Sequence, residues 1–209
     1  MNPLTELEAK FEVPHLTVGR FKAFAADLCH PHLCLNLAGI DTFFSGQGIV
    51  LRYRRSAPGE PLGGQSALTY KCRQSPGNIR DRYEFDLFLD DERVSEETVR
   101  AFVKVMKLEE HFTIKKESWI YCQEVLDSDY GGDYKVILAL YDVLHDGKIS
   151  RYLEVEIDKD GTVSDANARI ILDSYIANLQ RVLGVGEPLN KSLYELFSPK
   201  DRLFLPETF

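Results

Sequence analysis

Glu6-Leu-Glu8-Ala-Lys10 alternates charged and apolar side chains without a break, and later segments repeat the pattern. A period of two is the signature of a β-strand, in which every second side chain lies on one face. One face here carries two carboxylates and an ammonium, continued by Glu12; the other carries Leu7, Ala9, Phe11 and Val13. Two acids two residues apart set oxygen donors side by side, which suits a hard divalent cation. The same pattern also describes an amphipathic edge strand with a solvated outer face. Further along, Arg52 and Arg54 share a face opposite Leu51 and Tyr53, and Lys71 and Arg73 oppose Leu68, Tyr70 and Cys72. Arg80, Arg82, Glu84 and Asp86 stand in one phase, with Ile79, Tyr83, Phe85 and Leu87 in the other. Glu154 and Glu156 alternate with Leu153, Val155 and Ile157.

The totals bound the answer without choosing it. The chain has 209 residues, 44% hydrophobic and 28% charged, enough for a substantial core in an ordinary globular protein. A net charge of −8 argues against nonspecific nucleic-acid binding, which calls for a basic surface, but is neutral on a small anion held in a locally basic cavity. No apolar run reaches the roughly 18 residues of a membrane span, and the N-terminus has no signal-peptide pattern. Four cysteines in this length do not make a disulfide scaffold, so a reducing, cytoplasmic setting is expected. Cys29-His30-Pro31-His32-Leu33-Cys34 offers thiols and imidazoles to zinc. Its spacing matches none of the usual zinc arrangements, and a loop closing the preceding helix is the plainer reading.

The apolar periodicity predicts helices over Thr17–Leu28, Ser95–Lys107 and Asp165–Leu183. The second has a serine cap followed by Glu96 and Glu97 at the positive end of the helix dipole. Strands are expected over Glu6–Val13, Gly48–Arg55, Ser66–Arg73, Ile79–Leu89, Phe112–Gln123, Tyr134–Leu144 and Lys148–Ile157. Gly- and Pro-rich breaks near 58–64 and 145–147 predict two antiparallel hairpins. The composition nowhere shifts as at a linker, which predicts one domain over 1–209, with its core at about 4–197 and a tail at 198–209.

Two architectures satisfy this pattern. The apolar faces can meet as a sandwich core with the charges in water. Alternatively, the strands close into a barrel with a charged lumen and an apolar outside covered by helices. A charged lumen is costly unless its groups are paired or neutralised by a ligand. Glutamate pairs at both ends of the chain with basic residues between them match a polyphosphate plus a divalent metal.

At these residues the chain resembles the CYTH family, the triphosphate tunnel metalloenzymes. Glu6, Glu8 and Lys10 match its Glu-x-Glu-x-Lys signature, and Asp41-Thr-Phe-Phe44 resembles its Asp-x-Tyr-Phe segment. Leu51-Arg-Tyr-Arg54 and Leu68-Thr-Tyr-Lys71 are similar to its Arg-x-Arg and Leu-x-x-Lys strands, and Arg82-Tyr-Glu84-Phe-Asp86 to its Arg-x-Glu-x-Glu strand. Leu140-Tyr-Asp142-Val143, Glu154-Val-Glu156 and Lys191-Ser-Leu-Tyr194-Glu-Leu resemble its closing elements. The likeness runs from Glu6 to about Phe197, and it rests on the order and completeness of the motifs. One departure stands out. Where the family carries Lys-x-Arg, this chain reads Ile114-Lys115-Lys116-Glu117-Ser118, with a lysine but no arginine. Alternation lets only one of Lys115 and Lys116 point inward. The loop between Phe44 and Gly48 is shorter than usual, and 124–133 reads as an inserted acidic turn.

The resemblance implies an α+β fold, an antiparallel closed or nearly closed β-barrel with helices packed outside. It implies a small-molecule triphosphate as the partner, with no nucleic acid and no membrane, and it allows a homodimer. Glu6, Glu8, Glu154 and Glu156 would hold Mg²⁺ or Mn²⁺. Lys10, Arg52, Arg54, Lys71, Arg82 and one of Lys115 and Lys116 would grip phosphate oxygens. Lys10, Glu84 and Asp142 would assist the reaction. Arg55, Arg73, Arg80 and Asp86 sit nearer strand ends, where solvent or an internal ion pair serves as well. The activity implied is a metal-dependent triphosphatase acting on inorganic triphosphate, thiamine triphosphate or a nucleoside triphosphate, by positioning and charge stabilisation of an in-line attack. A class IV adenylyl cyclase is the alternative, and a noncatalytic polyphosphate or nucleotide sensor is a third reading.

Overall fold

The alternating segments are strands, and they close on one another. The computed structural model describes residues 4–28, 33–47, 49–56, 66–73, 81–90, 93–159 and 163–199. Eight strands form in chain order: β1 (Leu4–Glu12), β2 (Leu33–Gly46), β3 (Ile49–Ser56), β4 (Ala67–Arg73), β5 (Asp81–Phe88), β6 (Glu109–Ser128), β7 (Gly132–His145) and β8 (Lys148–Lys159). All neighbours are antiparallel, in the order β1-β5-β4-β3-β2-β6-β7-β8, and β1 returns to pair with β8. The barrel of the two architectures is therefore the one adopted, and among the described strands none is left without a neighbour on either side.

Four helices accompany it: α1 (Val18–Leu28), α2 (Glu96–Val105), α3 (Asp165–Leu183) and α4 (Leu193–Phe197). Local chemistry sets their ends. Ser95 caps α2 by accepting from the Thr98 N–H, and Ser164 caps α3 by accepting from Asn167. Gly184 ends α3 in the left-handed conformation at φ 70°, which costs glycine little. Ser192 and Glu195 form a reciprocal capping box on α4. The hairpin expected at 145–147 is present, with Asp146 and Gly147 at φ 48° and 73° as a two-residue primed turn requires.

The apolar strand faces point outward and meet the helices. Leu7, Ala9 and Phe11 of β1, Leu138 and Leu140 of β7, and Leu153, Val155 and Ile157 of β8 pack with α1 and α3 in one buried cluster. On the far wall Leu51, Tyr53 and Leu68 pack with Val99 and Val103 of α2. Arg55 also lies on this outer side, where its Nη1 meets Glu96 at 2.8 Å. A third cluster is built from inward-facing residues: Phe43, Phe112, Tyr141, Val143 and Tyr152 meet Leu193 and Tyr194 of α4. Thus α4 fills one end of the lumen. It is tied there by His111, whose Nε2 is hydrogen bonded to Ser45 Oγ and whose Nδ1 is hydrogen bonded to Tyr194 OH, both at 2.9 Å.

Two expectations change. Leu33–Gly46, in which no strand was expected, is the 14-residue β2 that joins the two halves of the barrel. The stretch 124–133 is not an inserted acidic turn over its whole length. The β6–β7 ladder continues to Ser128 opposite Gly132, with an irregular register after Val125, and the turn is confined to 129–131. Residues 29–32 and 57–65 lie outside the described residues, and with them most of the Cys/His cluster and the hairpin expected at 58–64. Among the described residues no helix is long and apolar enough to cross a membrane.

Candidate active site

The same alternation that sends Leu7, Ala9 and Phe11 outward sends Glu8 and Lys10 into the lumen, where both are buried. Antiparallel register places Glu8 opposite Glu156 and Lys10 opposite Glu154, so the acids of β1 and β8 share one wall. Lys10 Nζ lies 3.0 Å from Glu154 Oε2 and 3.4 Å from Glu8 Oε1. Tyr141 donates to the same Glu154 Oε2 at 2.9 Å. Burial, followed by the charges of Glu154 and Glu8, pushes the Tyr141 phenol well above its usual pKa, so it stays a donor.

The opposite wall is cationic. Arg54 forks onto Asp41 through two bonds of 2.8 Å, Nε to Oδ1 and Nη2 to Oδ2. Asp41 is fully buried, and burial alone would raise its pKa. Arg54 outweighs that by charge and hydrogen bonding, Arg52 and Lys116 add to it, and the carboxyl is held well below the usual range. Arg52 Nη2 donates to Thr69 Oγ1 at 3.0 Å, and that hydroxyl donates to Asp86 at 2.5 Å. Register also decides between the two lysines. Lys116 pairs with Gly39 and Val143, and its Nζ stands 3.7 Å above the centre of the inward-facing Tyr141 ring. Lys115 is exposed on the other face, so Lys116 is the lumen lysine. Burial pushes the Lys116 ammonium down, Arg54 and Arg52 push the same way against Glu154 and Asp41, and its pKa falls to about 7.

Asp142 is the expected site residue that the fold places elsewhere. It stands one position out of phase with Tyr141, beside Leu140 on the outer face. There it takes both Nε and Nη2 of Arg151 at 2.6 Å. Arg151 in turn donates to the Leu16 carbonyl at 2.7 Å, so the pair clamps β7 and β8 to the segment leading into α1. The side chains of Glu6, Lys71, Arg82 and Glu84 lie outside the described residues, as do those of Arg73 and Arg80. Their backbones put Glu6 opposite Arg82 and Lys71 opposite Glu84. Three lumen residues were not foreseen as part of the site: Asp41, Thr69 and Tyr141. Tyr141 was readable from the period of two, because Ala139 and Val143 share its phase.

As donors, Glu8, Glu154 and Glu156 suit Mg²⁺ or Mn²⁺, being carboxylates only. Among the described residues no three such groups converge as a closed cation site, and the Lys10 ammonium bridges Glu8 and Glu154. Fit to a cation is thus one of donor chemistry, on the wall facing Arg54 and Lys116.

No protein-family model matches the chain, and no curated protein matches it significantly. Solved structures resemble it in fold. One, described as a candidate adenylate cyclase from Bacillus halodurans, is 14% identical, with 94% of this chain and 99% of that one covered and a TM-score of 0.49. The Mimivirus capping enzyme triphosphatase is 11% identical over 86% of this chain and 90% of that one, with a TM-score of 0.48. An S. pombe RNA triphosphatase in complex with the Spt5 CTD is 10% identical over 86% and 85%, with a TM-score of 0.45.

Proposed function

We propose that this chain is a metal-dependent triphosphatase that binds its substrate lengthwise in the lumen. The observation that carries this reading is the division of the lumen into an acidic wall (Glu8, Glu154, Glu156) and a cationic one (Arg52, Arg54, Lys116). A half-buried ammonium whose charge is disfavoured by Arg54 and Arg52 is stabilised by an anion, and phosphate oxygens supply the charge. Mg²⁺ or Mn²⁺ on Glu8, Glu154 and Glu156, with Glu6 two residues earlier on β1, would neutralise the substrate's remaining charge and stabilise charge developing at the transferred phosphorus.

The chain's own groups do the rest. Asp41 fixes the plane of Arg54, so a two-pronged donor is preorganised before the substrate arrives. Lys116 gains a proton as the polyanion approaches. Tyr141 links the two walls, its ring under Lys116 and its hydroxyl on Glu154. Lys10 holds Glu8 and Glu154 together and can turn to phosphate once a divalent cation takes its place. With α4 across one end, entry is from the other. Described cysteines Cys34 and Cys122 are free thiols, which suits the reducing cytoplasm expected for such an enzyme.

The test is to supply tripolyphosphate, thiamine triphosphate and ATP, each with Mg²⁺ and with Mn²⁺, and to identify the products. Release of orthophosphate, lost on chelation and in Glu154→Gln, is the expected result. Cyclic AMP with pyrophosphate from ATP would make the protein a cyclase, and no turnover of any of the three would overturn the enzymatic reading.

A further inference from the structure

We infer that Tyr141 is a positioning residue that serves both walls of the lumen: its hydroxyl sets the Glu154 carboxylate for a divalent cation, and its ring seats the Lys116 ammonium for phosphate. This rests on the reading that the lumen binds a triphosphate with metal. Register puts Tyr141 where both are possible. β7 runs between β6 and β8, with Lys116 of β6 opposite Val143 and Glu154 of β8 opposite Ala139. Tyr141 lies between those two positions in the same inward phase. It is therefore the diagonal neighbour of the lysine on one side and of the glutamate on the other, and diagonal neighbours are within reach of an aromatic side chain. The contacts follow: the hydroxyl donates to Glu154 Oε2 at 2.9 Å, and Lys116 Nζ stands 3.7 Å above the ring centre. Val143 and Ala139 share the phase but offer neither a donor nor a π face.

The tyrosine is itself held in place. It is fully buried, Tyr152 packs against it with ring centroids 5.8 Å apart, and Phe197 of α4 stands edge-on to Tyr152 at 6.1 Å. The helix that fills the end of the lumen thus backs the ring. Glu154 Oε2 is approached from two sides, by the Tyr141 hydroxyl and by Lys10 Nζ at 3.0 Å. The Lys10 contact is a charge pair that a divalent cation replaces. The Tyr141 bond is from a neutral donor and survives the exchange, so the carboxylate keeps its orientation while its charge partner changes. Such partners behind a metal ligand are typically worth about ten- to a hundredfold in affinity. On the other side, the negative face of the ring attracts the ammonium, and a lysine resting on a ring still has N–H donors for phosphate oxygens. A core tyrosine that merely satisfied its hydroxyl needs only the first of these contacts; this one touches a group from each wall.

The experiment separates the two roles by binding alone, without turnover. Mn²⁺ affinity is read from the electron paramagnetic resonance signal of the unbound ion, and tripolyphosphate affinity by titration calorimetry in chelator, for wild type, Tyr141→Phe and Tyr141→Leu. Tyr141→Phe keeps the ring and loses the hydroxyl. It is expected to raise the Kd for Mn²⁺ about tenfold or more, with the Kd for tripolyphosphate within about twofold of wild type. Tyr141→Leu loses both groups and is expected to weaken Mn²⁺ as the Phe variant does and tripolyphosphate by at least about threefold. Where thermal melts show that the Leu variant does not fold, Tyr141→Met is read in its place, and the Mn²⁺ result for Tyr141→Phe decides the hydroxyl's role by itself. An unchanged Mn²⁺ affinity in Tyr141→Phe, or equal loss of both ligands in that variant, overturns the inference and leaves the triphosphatase reading standing. Wild-type protein that binds neither Mn²⁺ nor tripolyphosphate overturns that reading and the inference with it.

Discussion

Lys116 is the residue whose chemistry the fold alters most usefully. An ordinary lysine is fully charged at neutral pH; this one, with a pKa of about 7, is divided between its two forms. A bound polyanion returns it to the charged form, so binding near pH 7.5 should take up a fraction of a proton. Titration calorimetry in buffers of different ionisation enthalpy measures that fraction. The KM for a triphosphate should accordingly rise between pH 7 and 9, and Lys116→Met should flatten this rise while weakening binding by at least about tenfold. Asp41 gives the complementary prediction. Its carboxylate is buried and bidentate with Arg54, so Asp41→Asn leaves a guanidinium without its counter-charge and costs about 3 kcal/mol, read as a lowered denaturation midpoint. Because Asp41 positions Arg54, kcat/KM should fall by about tenfold or more even where the variant is folded.

At the scale of elements, the strands were legible wherever charge and apolarity alternate. β1, β3 and β8 read directly, because one face is charged and the other packs on helices. β2 did not. Its inward phase runs Leu35, Leu37, Gly39, Asp41, Phe43, which is mostly apolar, and with both faces mixed a period of two leaves little trace. The Asp142 expectation failed by one residue. A strand reverses face at each step, and register assigned Tyr141 to the lumen and Asp142 to the helix-covered side. The structure accordingly predicts that Asp142→Asn weakens the clamp on β7, β8 and the α1 entry by about 1–3 kcal/mol, the usual cost of a compromised partly buried charged hydrogen bond. Triphosphate turnover by the folded variant should stay within about twofold of wild type, since ordinary surface changes away from a site move rates little. A loss of turnover without a loss of stability would return Asp142 to the site.

For the whole molecule, the repeated phase of charges across strands distant in sequence was the legible part, and it distinguished a barrel from a sandwich only when joined to the helices. What the sequence did not display was which end of the lumen is filled. That depends on Leu193 and Tyr194 meeting Phe43 and Phe112, residues about 80 to 150 apart in the chain and brought together only by closure. A charged lumen also leaves a signature in stability. Lys116 has a folded pKa below its unfolded value, so without ligand it destabilises fully below pH 7, and stability is regained as pH rises toward about 10.4. Between pH 7 and 9 the melting temperature of wild type should therefore rise relative to that of Lys116→Met, and saturating triphosphate should reduce this difference. The central claim is that one lumen holds a divalent cation on its acidic wall and a triphosphate on its cationic wall. Crystals grown with Mn²⁺ and tripolyphosphate, with data collected at the manganese edge, test it most directly. The account predicts an anomalous peak against Glu8, Glu154 and Glu156, with phosphate density reaching Arg54 and Lys116; manganese and phosphate bound only outside the barrel would contradict it.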